Sequence, residues 1–432
     1  MEPRPLAART RPNTSGAGGN VSILQILRRR GRPRQVVVQL TSRCNAACAQ
    51  CGMNVHAGGA RGDLDLEAGK KIIDRCAALG VQALSFTGGE PLLCGKRLFS
   101  LLDYAGKAGI RYLRTGTNGS VFAQPHGPGF MDRAARLADA LARSPVRNVW
   151  ISLDSADAAT HEANRGFPGL VEGLARALPL FHARGIYPTA NLALNRFMGG
   201  AEPLAGRDEA TLYDAAGLAL GRFFETVADL GFTIANCCYP MSDADADQGV
   251  KAEYAATSAD ARVTFAAWEK AALFRAVRDA VPRYRGRLRI FTPQSAVHAL
   301  WRQYADRRPG RPCLGGVSFF YVNRSGGTFP CGYRGGENLG PFWEIGEDRL
   351  AGPPHCRACD WECFRDPSEL LGPFSDFLAG PSGWASLLRA DRRQLAYWLS
   401  DLRYYKACGD FDGRRPPDRA ALARFAKGAA GA

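Results

Sequence analysis

The sequence predicts an α/β fold: a partial (β/α)6 TIM-type barrel of parallel strands, then a small Cys-rich C-terminal domain and terminal helices. Three observations predict it. Between residues 35 and 240 short apolar strands alternate six times with longer helical patterns, which implies a parallel sheet joined by helical crossovers. Residues 310–370 are dense in Gly, Pro and Cys with little helical pattern, as expected of a unit held by metal rather than by a large core. Residues 371–432 return to helical periodicity.

Each element has its own signal. Gln35 to Thr41 is a β-branched run, and Leu66 to Leu79 places Ile72, Ile73, Cys76 and Leu79 on one helical face. Ala83 to Thr87 is the second strand, Arg97 to Ala108 a helix, and Arg111 to Thr115 the third strand. Met131 to Arg143 follows as helix and Asn148 to Leu153 as the fourth strand. Leu170 to Arg184 is helical, Pro188 to Leu194 is the fifth strand, Glu209 to Leu230 a long helix, and Thr233 to Cys237 the sixth strand. An acidic, Ala-rich stretch, Ser242 to Ala261, leads into a helix around Phe265 to Val281. Val317 to Asn323 is a short strand, and Trp384 to Tyr405 is the strongest helix of the C-terminal part. The expected organisation is a basic disordered tail (1–34), a core barrel (35–240), a bridging helical segment (241–309), the Cys-rich domain (310–370) and C-terminal helices (371–432).

The chain has 432 residues, 46% hydrophobic and 22% charged, so global disorder is excluded. Its apolar runs are far shorter than the roughly 20 residues that span a bilayer, and the N-terminus has no secretory signal pattern. The expected location is cytoplasmic, a reducing compartment in which clustered cysteines serve as metal ligands or redox groups rather than disulfides. The net charge is +15, but residues 1–34 hold eight arginines against one acid, Glu2. The tail thus holds +7 of the excess, and the remaining 398 residues carry only +8. No nucleic-acid module follows it, so nucleic acid is not the expected partner.

Directly after the first strand stands Thr41-Ser42-Arg43-Cys44-Asn45-Ala46-Ala47-Cys48-Ala49-Gln50-Cys51, a Cys-x3-Cys-x2-Cys loop. Structural zinc takes four protein ligands, usually as two Cys-x2-Cys pairs. A cubane [4Fe–4S] cluster also takes four, so three thiolates leave one iron open. The loop resembles the signature of the radical S-adenosylmethionine (radical SAM) superfamily. That resemblance implies that Cys44, Cys48 and Cys51 hold three irons while the amino and carboxylate groups of S-adenosylmethionine chelate the fourth. Members usually carry an aromatic residue before the third cysteine; here it is Gln50. Other strand ends agree with the resemblance. Thr87-Gly88-Gly89-Glu90-Pro91 is similar to the family's Gly-Gly-Glu-Pro element, where Gly88 and Gly89 let backbone approach a ligand and Glu90 offers an acceptor for its ammonium. Thr117-Asn118-Gly119 is similar to its Thr-Asn-Gly turn. Ser152-Leu153-Asp154, with His161, Arg165 and Gly166 downstream, resembles its Ser-Leu-Asp segment, and implies that Ser152 and Arg165 help hold the methionine carboxylate. His161 reads either as a packing or capping residue or as a catalytic one. Asn191 and Asn195 are candidates for the ribose or the substrate.

A second group comprises Cys313, Cys331, Cys356, Cys359 and Cys363, with Gly326 five residues before Cys331. Spacing alone permits a zinc ribbon. Behind a radical SAM core it resembles the SPASM module or its shortened twitch form, which implies one auxiliary [4Fe–4S] cluster on Cys313, Cys331, Cys356 and Cys359, with Cys363 as alternate. Cys76 reads as core, and Cys237, Cys238 or Cys408 is a candidate hydrogen-atom donor.

The resemblance implies an enzyme that cleaves S-adenosylmethionine reductively to a 5′-deoxyadenosyl radical and removes a hydrogen atom from its substrate. It needs an external one-electron reductant such as flavodoxin or ferredoxin. Only tail-like residues precede the barrel, with no winged-helix module for a leader peptide. The expected substrate is therefore a small polar metabolite of aminosugar or carbohydrate type, oxidised, dehydrated or epimerised. Three alternatives are a maturase of a ribosomal peptide, an RNA-directed enzyme, and a non-catalytic zinc protein with a nucleic-acid-binding tail.

Overall fold

β-Branched Val36, Val37 and Val38 make Gln35–Thr41 (β1) extended, and this strand lies inside a nine-stranded sheet rather than at its edge. The computed structural model describes residues 33–51, 61–240, 259–308, 310–346, 356–357, 360–378, 380, 381, 383 and 391–426. All of these belong to one unit, residues 31–432; the other unit, residues 1–30, lies outside the described residues. So do almost all of the expected tail, most of Ser242 to Ala261, the first residues of the helix expected from Trp384, and Cys359.

The other strands are β2 (Ala83–Gly88), β3 (Tyr112–Thr117), β4 (Val146–Ser152), β5 (Thr189–Ala193), β6 (Ile234–Cys238), β7 (Arg289–Ile290), β8 (Phe319–Val322) and β9 (Thr328–Phe329). Their order is β7-β6-β5-β4-β3-β2-β1-β8-β9, parallel throughout except for the β8–β9 pair. The six expected parallel strands are present, and the sheet stays open as a partial barrel. Helices α1 (Leu66–Leu79), α2 (Gly95–Lys107), α3 (Phe130–Arg143), α4 (Ala158–Arg165), α5 (Leu170–Ala183) and α6 (Glu209–Asp229) form the crossovers. Local chemistry sets their ends. Asp65 caps α1 by accepting from the Glu67 and Ala68 amides, and Gly80 closes it at φ 69°. The short α4 was not expected; Asp157 caps it by accepting from the Thr160 amide, and Gly166 ends it at φ 74°.

Side chains alternate across each strand, and the two faces differ in character. Val36, Val38, Leu84, Phe86, Leu113, Val149, Ile151, Ala190, Leu192 and Ala235 join the main apolar core with the crossover helices. Their neighbours, among them Ser85, Arg114, Asn148, Trp150, Thr189, Asn191 and Asn236, line a cavity inside the sheet. Gly116 pairs with Trp150, and a Cβ there would stand 1.9 Å from the indole nitrogen, so only glycine leaves room for that ring.

The C-terminal part joins the same sheet instead of standing beside it. β8 runs parallel to β1 from Gln35↔Phe319 to Val38↔Val322, and β7 extends the opposite side. After α7 (Ala267–Tyr284) come α8 (Gln294–Ala305), α9 (Glu362–Leu378), α10 (Arg392–Ala407) and α11 (Arg419–Ala423). α9 begins inside the segment expected to have little helix. Its buried side chains are mostly polar: Glu362, Arg365, Asp366, Ser368 and Glu369. Among the described residues no helix is long and apolar enough to cross a membrane.

Candidate functional site

Cys44, Cys48 and Cys51 leave the C-terminal end of β1 and stand together in the wall of a cavity of about 440 Å³. Cys48 is buried, and Cys44 and Cys51 are half-buried. The next strand's loop holds them in place. The Gly89 amide donates to the Thr41 carbonyl at 2.8 Å, and the Glu90 amide to the Arg43 carbonyl at 2.8 Å. A Cβ on Gly88 would lie 2.1 Å from the Thr41 oxygen, and one on Gly89 2.1 Å from the Arg43 oxygen. The close approach these glycines allow is thus to the cysteine loop's own backbone, while both also line the cavity. Gly89→Ala is expected to push the loop out of place and to lower the iron bound after anaerobic reconstitution, read by metal analysis; iron retained at the wild-type level would contradict this.

Glu90 is buried, with Oε1 accepting from the Leu92 amide at 3.0 Å and Oε2 from the Asn118 amide at 2.6 Å. Burial raises its carboxyl above the usual range. The sequence reading offers this carboxylate to a ligand's ammonium; here Glu90 is absent from the cavity lining and both of its oxygens hold backbone. It acts instead through Asn118, whose Nδ2 donates to Asn45 Oδ1 at 2.9 Å and to Cys44 Sγ at 3.6 Å. The Ala46 amide also points at the Cys44 sulfur, at 3.4 Å. Donors aimed at sulfur suit a ligated thiolate.

Ser152 and Asn191 line the cavity from β4 and β5, and Arg165 reaches it from the end of α4. Arg165 forms a two-point pair with Asp154, Nε to Oδ2 at 2.7 Å and Nη2 to Oδ1 at 2.6 Å. Burial works against the Asp154 charge, yet the Arg165 guanidinium holds that carboxyl below its ordinary range. Gln50 Nε2 lies 3.4 Å from Asp154 Oδ2, while Gln50 Oε1 is buried without a hydrogen-bond partner. Burial pushes the Cys48 thiol up to about 11, with Arg165 opposing.

His161 is wholly buried and absent from the cavity lining; its Nδ1 accepts from the Asp154 amide at 3.0 Å. Burial draws its pKa down from 6.5 to about 4, against the pull of Asp154. The folded chain therefore keeps it neutral where the unfolded chain takes a proton. Its contribution to stability is complete above pH 6.5 and is lost as pH falls towards 4. Denaturant unfolding across that window is expected to show a loss of about 3 kcal/mol that His161→Gln removes. Asn195 is likewise a brace, donating to the Asp154 and Ala193 carbonyls.

The second cysteine group divides. Cys313, Cys331 and Cys356 ring a small buried cavity with Trp361, Phe364 and Arg334. The Gly315 amide points at the Cys313 sulfur at 3.4 Å, and Ser368 Oγ lies 3.8 Å from it. Cys363, the expected alternate ligand, does not line this cavity; it lines the main one instead, donating to Glu362 Oε1 at 3.3 Å. The reason is helical: Cys363 is the second residue of α9, and the two sides of that turn face different cavities. Cys238 faces the main cavity and Cys237 the outer core, as alternation along β6 requires. Cys408 packs with Ile234, Tyr404 and Phe411 outside the cavity lining. The structure thus corrects two of the three candidate hydrogen donors: Cys237 and Cys408 point into apolar packing, and only Cys238 reaches the site.

Among the described residues no three His, Cys, Asp or Glu groups converge on a single-ion site. A cubane places each thiolate on a different iron, so its ligands ring a space rather than meet at a point. Sequence reasoning missed Ser85, Arg114, Trp150, Asn236, Trp361 and Glu362 as lining residues. A polar residue at every second strand position was the available signal for the strand-borne ones.

Residues 38–200 match the family model described as Radical SAM superfamily. An AdoMet-dependent heme synthase of Nitratidesulfovibrio vulgaris is 26% identical over 295 residues, 68% of this chain and 72% of that protein. An AdoMet-dependent heme synthase of Methanosarcina barkeri is 24% identical over 349 residues, 79% of this chain and 87% of that one. Among solved structures, Streptococcus suis SuiB bound to S-adenosylmethionine superposes with a TM-score of 0.48 at 13% identity, covering 75% of this chain and 67% of that chain.

Proposed function

This chain is a radical SAM enzyme, its family domain spanning residues 38–200, and from that premise we propose that it acts on a compact polar substrate held inside the partial barrel. The observation that carries this reading is the polar inner face of the sheet. Arg114, Asn148, Asn191 and Asn236 line a cavity that Glu362 and Tyr405 from α9 and α10 also wall. Its volume of about 440 Å³ includes the part that S-adenosylmethionine would fill, which leaves room for a compact substrate.

The cofactors are a [4Fe–4S] cluster and S-adenosylmethionine, which together supply a carbon radical able to remove a hydrogen atom from a C–H bond. Cys44, Cys48 and Cys51 would hold the cluster, with Asn118 and the Ala46 amide directed at the first sulfur. Gly88, Gly89, Ser152, Arg165 and Asn191 would bind S-adenosylmethionine. Arg165 is turned by Asp154 so that Nη1, outside the pair, is left for a carboxylate. Gln50 Oε1, a buried acceptor without a partner, would take a donor from the bound molecule. Arg114, whose Nε donates to Ser85 Oγ at 3.0 Å, would receive an anionic or hydroxyl-rich part of the substrate. Cys313, Cys331, Cys356 and Cys359 would hold the auxiliary cluster.

The test is anaerobic incubation of the reconstituted protein with S-adenosylmethionine and dithionite, followed by assay for 5′-deoxyadenosine and methionine. Formation of both is expected; neither forming overturns the reading. Small polar metabolites that raise the yield of 5′-deoxyadenosine identify the substrate class, and stimulation by peptides alone would replace it with the peptide reading. The two heme synthases match over most of the chain rather than over the family domain alone. That reach favours a second reading, a heme-related substrate, for which hemin titration followed by its visible absorption is the check.

A further inference from the structure

We propose that Cys238, Glu362 and Cys363 form a two-thiol hydrogen-atom donor within the main cavity, a site that rests on the radical reading above and specifies how the substrate radical ends. The three side chains come from distant parts of the chain. Cys238 ends β6 on its inward face, and Glu362 and Cys363 open α9. One carboxylate oxygen gathers both thiols: Glu362 Oε1 lies 3.0 Å from Cys238 Sγ and 3.3 Å from Cys363 Sγ. Glu362 is only 8% exposed, and its other oxygen is buried without a hydrogen-bond partner. A buried acceptor of that kind is costly unless something donates to it. In the wall of this cavity the donor is a bound molecule, so the carboxylate places substrate beside the thiols. Strand alternation turns the neighbouring Cys237 away into the outer core, so position rather than cysteine content defines the pair.

The chemistry balances as follows. An S–H bond is weaker than most C–H bonds, so a substrate carbon radical takes a hydrogen atom from one thiol: one S–H bond breaks and one C–H bond forms. The thiyl left behind bonds to the second sulfur as Glu362 takes that thiol's proton. One electron leaves to an acceptor of the flavodoxin or ferredoxin class. Two thiols are thereby oxidised to one disulfide; the substrate gains a hydrogen atom, Glu362 a proton and the acceptor an electron. A dithiol reductant reopens the disulfide for the next turnover. A substrate that receives hydrogen in this way leaves epimerised or reduced rather than desaturated.

The experiment uses the full chain with its clusters reconstituted anaerobically. Diamide is expected to link Cys238 to Cys363, read as one cross-linked peptide by mass spectrometry. The link is expected to vanish in Cys363→Ser and Cys238→Ser and to persist in Cys237→Ser. In D2O, with S-adenosylmethionine and dithionite and no substrate, 5′-deoxyadenosine is expected to carry deuterium taken from an exchangeable thiol. That label, read as the deuterated fraction of the 5′-deoxyadenosine formed, is expected to fall to background in the Cys238→Ser/Cys363→Ser double variant. Wild-type protein that gives no linked peptide, or that forms 5′-deoxyadenosine without the deuterium, overturns the proposal. Wild-type protein that gives the linked peptide but no 5′-deoxyadenosine overturns the radical reading instead, so the two failures are distinguishable.

Discussion

Replacing Cys44, Cys48 and Cys51 together by alanine is expected to lower the iron content after reconstitution from about eight to about four per chain and to abolish 5′-deoxyadenosine formation. The three thiols lie on one loop, in one cavity wall, so the triple variant removes one cluster without touching the other cysteine group. The fold is expected to survive. The loop's other anchors, Asp63 bridging Arg43 at 2.7 Å and the Gly89 and Glu90 amides on the loop backbone, do not involve sulfur. Iron analysis with circular dichroism separates loss of the cluster from loss of structure. A fall from about four irons to none would mean that Cys313, Cys331, Cys356 and Cys359 hold no iron–sulfur cluster. Zinc without iron in the wild type would overturn the radical assignment.

Asp154→Ala is expected to destabilise the chain by about 3–5 kcal/mol and to weaken S-adenosylmethionine binding together with it. Asp154 is nearly fully buried and Arg165 mostly so, and removing the carboxylate leaves a guanidinium in low dielectric with no counter-charge. The same carboxylate also accepts from Asn164 at 2.7 Å. Urea unfolding gives the stability term, and calorimetric titration with S-adenosylmethionine gives the binding term. Arg165→Lys separates them: it keeps the charge beside Asp154 but not the planar fork, so binding is expected to fall more than stability. Equal losses in both measurements would make Arg165 a structural residue only.

The barrel was legible because its signals are local. Period-two runs and helical stripes mark β1 to β6 and their main crossovers, and α1 keeps the expected bounds of Leu66–Leu79. Where apolar periodicity fails, reading fails with it. α4 was missed because it has eight residues and a single buried side chain, His161. The start of α9 was missed because its buried face is charged, so the pattern that marks an amphipathic helix is inverted there. β7 was missed because two residues carry no period.

The sequence by itself determined the identity of the cysteine loop, the parallel alternating architecture and the residue types at the strand ends, since ligand spacing and strand parity are properties of neighbours along the chain. Only the tertiary structure decided what those residues touch. It assigned Glu90 to backbone amides, Gly88 and Gly89 to the cysteine loop, Cys363 to the lining of the main cavity, and Cys238 rather than Cys237 or Cys408 to that cavity. Those contacts join residues up to more than a hundred positions apart, such as Cys238 and Glu362. Partners that distant are fixed by how β8 joins the sheet and α9 packs beside it, and no local pattern encodes that packing.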